Sequence, residues 1–241
     1  MAPGPCRIEP PSAPRLFAEL RAVPEFFRYR AERRALRGLP GGDGHPVMVF
    51  PGLAANDRLT APLRRSIAAV GYPVTGWELG RNLGLRHGVL DAMLARLRGW
   101  HERHGRKVSL IGWSLGGLYA RELAKMEPDR VRQVITLGTP SVGDLRANNA
   151  WRLYEFLNDH KVDAVPLDTR LSECPPVPTT SIYSPGEGIV PPGAAMIPEG
   201  PHCENIAVDG SHLGLPWNPD VIRLVLTRLA QPEGAWRPLG R

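Results

Sequence analysis

Gly112-Trp113-Ser114-Leu115-Gly116 decides how the rest of this chain is read. Before it, Lys107-Val108-Ser109-Leu110-Ile111 is a short apolar, β-prone run. After it, Leu115, Leu118, Tyr119 and Leu123 recur at helical spacing through Met126. A serine between such a strand and such a helix sits on a sharp turn. That turn forces strained backbone angles on Ser114 and pushes its hydroxyl outward, the arrangement of a nucleophile elbow. Side chains two residues to either side would collide, so both positions demand glycine, and Gly112 and Gly116 supply it. Gly117 lets the helix lie close to the sheet. The alternative is a glycine-rich turn with no chemistry, so the chain must also supply partners for the serine in the right order.

Composition narrows the setting. With 241 residues, 42% hydrophobic and 22% charged, the chain suits one α/β domain with a large core, and neither disorder nor a coiled coil fits. The net charge of +6 can signal nucleic acid or an anionic membrane. The arginines, however, are spread through helical stretches (Arg86, Arg96, Arg98; Arg121, Arg130, Arg132), which reads as solvated helix faces. No nucleic-acid motif accompanies them, and no nucleic-acid partner is expected. One basic stretch, Arg28 to Arg37, follows Phe26-Phe27 and reads as a packed N-terminal helix. Peripheral contact with an anionic membrane is its alternative. Cys6, Cys174 and Cys203 make neither a disulfide framework nor a metal pattern, so free thiols are expected, with a meeting of Cys174 and Cys203 left open. The first residues lack a basic start followed by an apolar core, and no run approaches the ~20 apolar residues of a membrane span. A cytoplasmic location is the expectation. Oligomeric state is not legible.

Along the chain, residues 1–45 read as an N-terminal tail and basic helical segment. The first 13 are Pro-rich and disordered or loosely laid on the surface; two amphipathic stretches follow, broken near Pro24. Residues 46–241 read as the α/β domain. Strands are expected at Pro46–Phe50, Tyr72–Thr75, Val108–Ile111, Val131–Gly138, Thr180–Tyr183 and Glu204–Val208. Helices are expected at Thr60–Val70 (Thr60 as cap), Leu85–His104, Leu115–Met126 and Pro219–Leu229. Such alternation implies a mostly parallel sheet with helices on both faces. From about 141 to 177 the rhythm breaks, with only a helix near Ala150–Asn158. Ligands of open parallel sheets sit beyond the carboxyl ends of the strands. This insertion therefore reads as a small cap that shapes a pocket. Its stripe of Trp151, Tyr154, Phe156 and Leu157 reads as packing, with acyl recognition as the alternative.

Several stretches fit together. Val49-Phe50-Pro51-Gly52-Leu53, the Gly112–Gly117 elbow, Ile135–Pro140, Ile182-Tyr183-Ser184 and Gly210-Ser211-His212 resemble bacterial lipase- and esterase-like members of the α/β-hydrolase superfamily. The likeness runs from about Pro46 to Leu229. It implies an α/β-hydrolase fold and hydrolysis of a small-molecule ester or lipid through an acyl-enzyme, without metal or cofactor. A serine hydroxyl needs an imidazole to accept its proton. The base follows nucleophile and acid in chain order, so His160, His202 and His212 qualify. His212 sits between the last strand and last helix, where the resemblance puts the base. The acid belongs after the Thr180–Tyr183 strand, in a loop where the family usually has Asp and this chain has Glu187. Asp144 and Asp209 are the other candidates. One oxyanion donor is the backbone N–H of Leu115, and by resemblance the second is that of Leu53, unless Pro51-Gly52 is a mere turn. Gly76–Gly84 either lines the pocket or is a loop packed by Trp77, and Trp113 belongs to the core or the pocket floor. Acyl transfer and thioester hydrolysis would use the same residues. A non-catalytic lipid- or partner-binding protein of the same fold is the rival from another class.

Overall fold

The computed structural model describes residues 8–39, 41–158, 161 and 171–239. Cys6 and His160 lie outside the described residues. Six strands alternate with helices: α1 (Ala13–Ala18), α2 (Ala22–Arg37), β1 (Val47–Phe50), α3 (Ala61–Ala69), β2 (Val74–Gly76), α4 (Val89–His104), β3 (Val108–Trp113), α5 (Leu115–Met126), β4 (Val131–Leu137), α6 (Trp151–Leu157), β5 (Thr179–Tyr183), α7 (Pro192–Ala195), β6 (Cys203–Ala207) and α8 (Pro219–Leu229). The strands form one sheet in the order β2-β1-β3-β4-β5-β6, every pair parallel.

Register sets where the site lies. Phe50 pairs with Gly112, Trp113 with Leu137, Leu137 with Ile182, and Tyr183 with Ala207. The carboxyl ends of five strands are therefore level, and their outgoing loops meet at one edge. Alternation along the strands divides the core in two. Val47, Val49, Ile111, Trp113, Ile135 and Leu137 face α2, α3 and α8, where Tyr29, Leu63, Ile67, Val221 and Val225 pack on them. Met48, Phe50, Leu110 and Val134 face α4 and α5 through Met93, Leu97, Tyr119 and Leu123. Fully burying each such aliphatic side chain contributes about 1.5–3 kcal/mol.

Several local expectations need correction. The break in the N-terminal helices falls in a 3-10 turn at Glu19–Arg21, while Pro24 is accommodated in the first turn of α2, where its missing N–H is harmless. The fourth helix starts at Val89, behind a left-handed Gly88. Thr60 stands at the cap position of α3, but its hydroxyl donates to Asp57 O (3.3 Å) instead of accepting from the helix. Arg121 and Arg132 are buried, not on solvated faces. Arg121 gives hydrogen bonds of 2.9 Å to Leu171 O and Glu173 O, anchoring the returning end of the insertion on α5. Cys174 and Cys203 are free thiols. Among the described residues no helix is long and apolar enough to cross a membrane.

Candidate active site

Ser114 occupies the turn between β3 and α5 at φ 53° and ψ −123°. A non-glycine residue at positive φ stores roughly 1–3 kcal/mol and persists only where its surroundings over-determine it. Here the Ser114 N–H donates to Leu137 O at 2.8 Å, and its carbonyl accepts from Gly117 N–H and Thr139 Oγ1, both at 2.9 Å. A Cβ on Gly112 would run into Gly116 O and Gly117 Cα, and one on Gly116 would stand 2.5 Å from Phe50 O. Both elbow glycines are steric requirements.

His212 lies on the loop after β6 with its side chain buried. Its Nδ1 is 3.1 Å from Glu187 Oε2, and Glu187 Oε1 accepts the Val190 N–H at 3.2 Å. Of the three carboxylates left open by the sequence, Glu187 alone reaches the ring. Asp144 is exposed and accepts from Arg146 N–H, while Asp209 is exposed and pairs with Arg21. His202 is exposed on a turn before β6. Burial alone would push the His212 imidazole down. The Glu187 carboxylate, by charge and hydrogen bond, and the charge of Glu19 outweigh it, so the net shift is upward from the ordinary value of 6.5. Trp113 completes the mount, donating its indole N–H to His212 O at 3.0 Å. It serves the core and the base together and does not floor the pocket.

Two backbone N–H groups near the serine are without an acceptor among the described residues. Leu115 is the first residue of α5, so its N–H has no intrahelical acceptor and carries the positive end of the helix dipole. The Leu53 N–H has no hydrogen-bond acceptor among the described residues. Gly52 brings that loop against the elbow, since a Cβ there would be 3.2 Å from Ser114 Cβ. The loop is held by Asn82, which the sequence reading missed. Asn82 is fully buried; its Nδ2 donates to Pro51 O (2.7 Å) and its Oδ1 accepts from Tyr119 Oη–H (3.2 Å). Its backbone exchanges hydrogen bonds with Ala54 N–H and Ala55 O. Its only sequence signal is an asparagine inside Gly76–Gly84, a stretch that reads as pocket lining or loop. Trp77 in it is buried and stacks on Tyr119, so it packs and does not line the cleft.

Ser114, Leu53 and Leu115 open into a cleft with apolar walls. The sheet side contributes Leu118, Tyr119 and Pro140; the 141–177 insertion contributes Leu145, Trp151, Tyr154 and Leu171. The helical stripe of the insertion therefore divides: Trp151 and Tyr154 face the cleft, whereas Phe156 is 84% exposed. Glu19, Arg21 and Glu25 from the N-terminal helices also reach the loops carrying His212 and Glu187. Their sequence signal was no more than acids within a basic arm.

A parallel sheet with a strained serine after its third strand in the chain, an acid after the fifth and a histidine after the last has one architecture. This is the α/β-hydrolase fold. Solved structures of that fold superpose on the chain. Aspergillus fumigatus lipase B matches with a TM-score of 0.60 and 18% identity over 79% of this chain, which spans 54% of that protein. Bacillus subtilis naproxen esterase matches at 0.53 and 13%, covering 87% of this chain and 98% of its own. Monoacylglycerol lipase from Paleococcus ferrophilus matches at 0.52 and 14%, covering 78% and 96%. At such identities the likeness concerns the fold. No family model and no curated protein matches the sequence.

Proposed function

We propose that the chain is a serine hydrolase of carboxylic esters with an apolar acyl part. The observation that carries this reading is the buried His212–Glu187 pair, 3.1 Å apart, at the same sheet edge as a serine held at φ 53° on an apolar cleft. His212 Nε2 takes the proton of Ser114 Oγ as that oxygen attacks the ester carbonyl. Negative charge on the former carbonyl oxygen is met by the N–H groups of Leu53 and Leu115, where each such donor is worth ~3 kcal/mol. The tetrahedral species collapses, His212 gives its proton to the leaving alcohol, and Ser114 carries the acyl group. Water, deprotonated by His212, then releases the acid. Glu187 holds the ring by Nδ1 and stabilises the imidazolium. The apolar lining suits an acyl chain, and a lipase and an esterase are among the structural neighbours.

Turnover of p-nitrophenyl esters of graded chain length by wild type and Ser114→Ala tests this. Hydrolysis lost in the variant is expected; no hydrolysis by either protein, or equal hydrolysis by both, rejects it. The N-terminal helices supply a surface for peripheral lipid contact: Phe17 (75% exposed), Leu20, Val23 and Phe27 form an outward stripe beside the exposed Arg30, Arg33 and Arg58. Co-sedimentation of Ser114→Ala with phosphatidylglycerol vesicles, but not with phosphatidylcholine vesicles, is expected; recovery in the supernatant from both rejects this contact.

A further inference from the structure

The loops carrying His212 and Glu187 leave neighbouring strands and meet directly where Ser184 Oγ–H donates to Gly210 O at 2.6 Å, but the peptides beside the two side chains are held from outside the sheet. Glu19, in the 3-10 turn between α1 and α2, is 6% exposed and directs both carboxylate oxygens at these loops. Its Oε1 accepts the N–H of Gly188 at 2.7 Å and that of His212 at 3.1 Å; its Oε2 accepts the N–H of Leu213 at 2.8 Å. One carboxylate thus holds the peptide after the candidate acid and both peptides at the candidate base. Glu25 continues the pattern, accepting from Ser211 N–H (2.9 Å) and Ser211 Oγ–H (2.7 Å). Arg21 donates to Gly210 O at 2.8 Å. Gly188 makes the approach possible, because a Cβ there would collide with the Arg15 carbonyl.

We propose that Glu19 is a positioning residue, through which the N-terminal arm holds the His212 and Glu187 loops in register. The proposal rests on the reading of His212 as the general base. Three N–H donors converge on one acceptor-only group, so glutamine cannot replace it: its NH2 would face at least one of those N–H groups. Aspartate keeps the charge but is one methylene short of spanning both loops. Glu19 also acts through its charge. The groups around the His212 ring are Glu187 on the acid loop, Glu19 and, farther out, Glu25 and Arg21 on the arm, and the exposed Asp209 on its own loop. Glu187 and Glu19 are the two that raise its affinity for a proton.

Three variants test this: Glu19→Gln, Glu19→Asp and, as control, Arg28→Ala, which breaks an exposed arm-to-α8 pair with Asp220, neither side chain of which bonds to the two loops. The readouts are kcat and KM against pH on a p-nitrophenyl ester, and NMR titration of the His212 ring, assigned with His212→Gln. Glu19→Gln should lower kcat about 10–100-fold with KM within twofold, as expected for misplaced reacting groups, and should move the His212 midpoint down. Glu19→Asp should lose kcat while keeping the midpoint near wild type, which separates reach from charge. Arg28→Ala should change neither. The proposal is overturned if both Glu19 variants stay within twofold of wild-type kcat, or if Arg28→Ala reproduces their losses. If the Gln variant does not fold, the Asp variant alone decides on reach. If wild type hydrolyses no ester, the hydrolase reading fails, yet the NMR midpoints of wild type and Glu19→Gln still decide whether Glu19 acts on His212; equal midpoints reject it.

Discussion

Two Ser–His–acid clusters stand at opposite ends of this sheet. At the carboxyl edge are Ser114, His212 and Glu187. At the amino edge His45, just before β1, has Nε2 2.6 Å from Ser109 Oγ and Nδ1 2.7 Å from Asp43 Oδ1. At the amino edge the histidine bonds to both the serine and the acid, whereas at the carboxyl edge it bonds to Glu187, and among the described residues no hydrogen bond joins it to Ser114. The amino-edge cluster nonetheless lacks what makes a serine reactive. Ser109 lies inside β3 in ordinary strand conformation, and both Ser109 and His45 are 0% exposed. Asp43 is drawn away by Arg132 (2.7 Å) and Arg106, so its charge is spent on guanidinium groups. Burial first of all holds the His45 imidazole down to about 4, where the ring is a neutral structural spacer. At the other edge the shift on His212 runs upward, and the serine is turned out of the sheet beside two free N–H groups. Under the proposed hydrolase reading, the turn, the nearby N–H groups and the sign of the histidine's shift single out Ser114 over Ser109, and contact distances do not.

The contrast is most easily broken by paired deletions. Ser114→Ala should lower kcat on a p-nitrophenyl ester by on the order of 10⁵–10⁶, the scale seen when a triad serine is removed. Ser109→Ala should leave kcat within about threefold but lower stability in urea unfolding by ~1–3 kcal/mol, because the buried His45 Nε2 loses its partner. A large loss of turnover in Ser109→Ala would reverse the assignment of the two clusters. Next in size, Glu187→Gln should lower kcat by a factor near 10⁴, as for an acid that sets the imidazole tautomer. Asp43→Asn should act on stability and leave kcat in place. A fall below tenfold for Glu187→Gln would move the acid's role elsewhere.

A steric substitution reaches the same pair from behind. Gly138, at the end of β4, has φ +57°, and a Cβ there would stand 2.9 Å from His212 Nδ1 and 3.1 Å from Glu187 Oε2. Gly138→Ala should lower kcat by about 10²-fold through displacement of the ring, and stability by ~1–3 kcal/mol through backbone strain. Wild-type kcat would show that the pair tolerates displacement.

How far the sequence carries depends on how local each cause is. The elbow is legible because Gly112, Ser114 and Gly116 act within one turn, and the central strands are legible because, buried on both faces, they read as short, largely apolar runs. Glu187 over Asp144 and Asp209 is a matter of where three loops end in space, and nothing in their spacing decides it. Asn82 is farther from legibility still: it works through Pro51, 31 residues earlier, and Tyr119, 37 later. Glu19 meets His212 across 193 residues. The charge reading failed at Arg121 and Arg132 for a related reason. On α5 the helical spacing does not show that a returning loop carbonyl covers Arg121, and Arg132 lies in β4, where the carboxylate of Asp43, from the loop before β1, meets it.

The smallest expected effects are on pH, and they separate the clusters without disabling either. With His212 as the proposed general base, kcat/KM on a p-nitrophenyl ester should rise with pH along a limb whose midpoint lies above the ordinary histidine value of 6.5. For His45 the sign is opposite. Its folded-state value, about 4, lies below the unfolded one, so between these values the unfolded chain binds more protons. Its contribution is complete above about pH 6.5 and is lost as pH falls toward about 4, by at most a few kcal/mol. His45→Gln should therefore flatten the stability curve in that window, read as urea midpoints, while the kcat/KM limb stays where it was. A limb that moves with His45→Gln would couple the two edges of the sheet. An unmoved limb leaves the amino-edge cluster a structural tie between the loop before β1 and the middle of the sheet, with the same residue types held where no substrate can reach them.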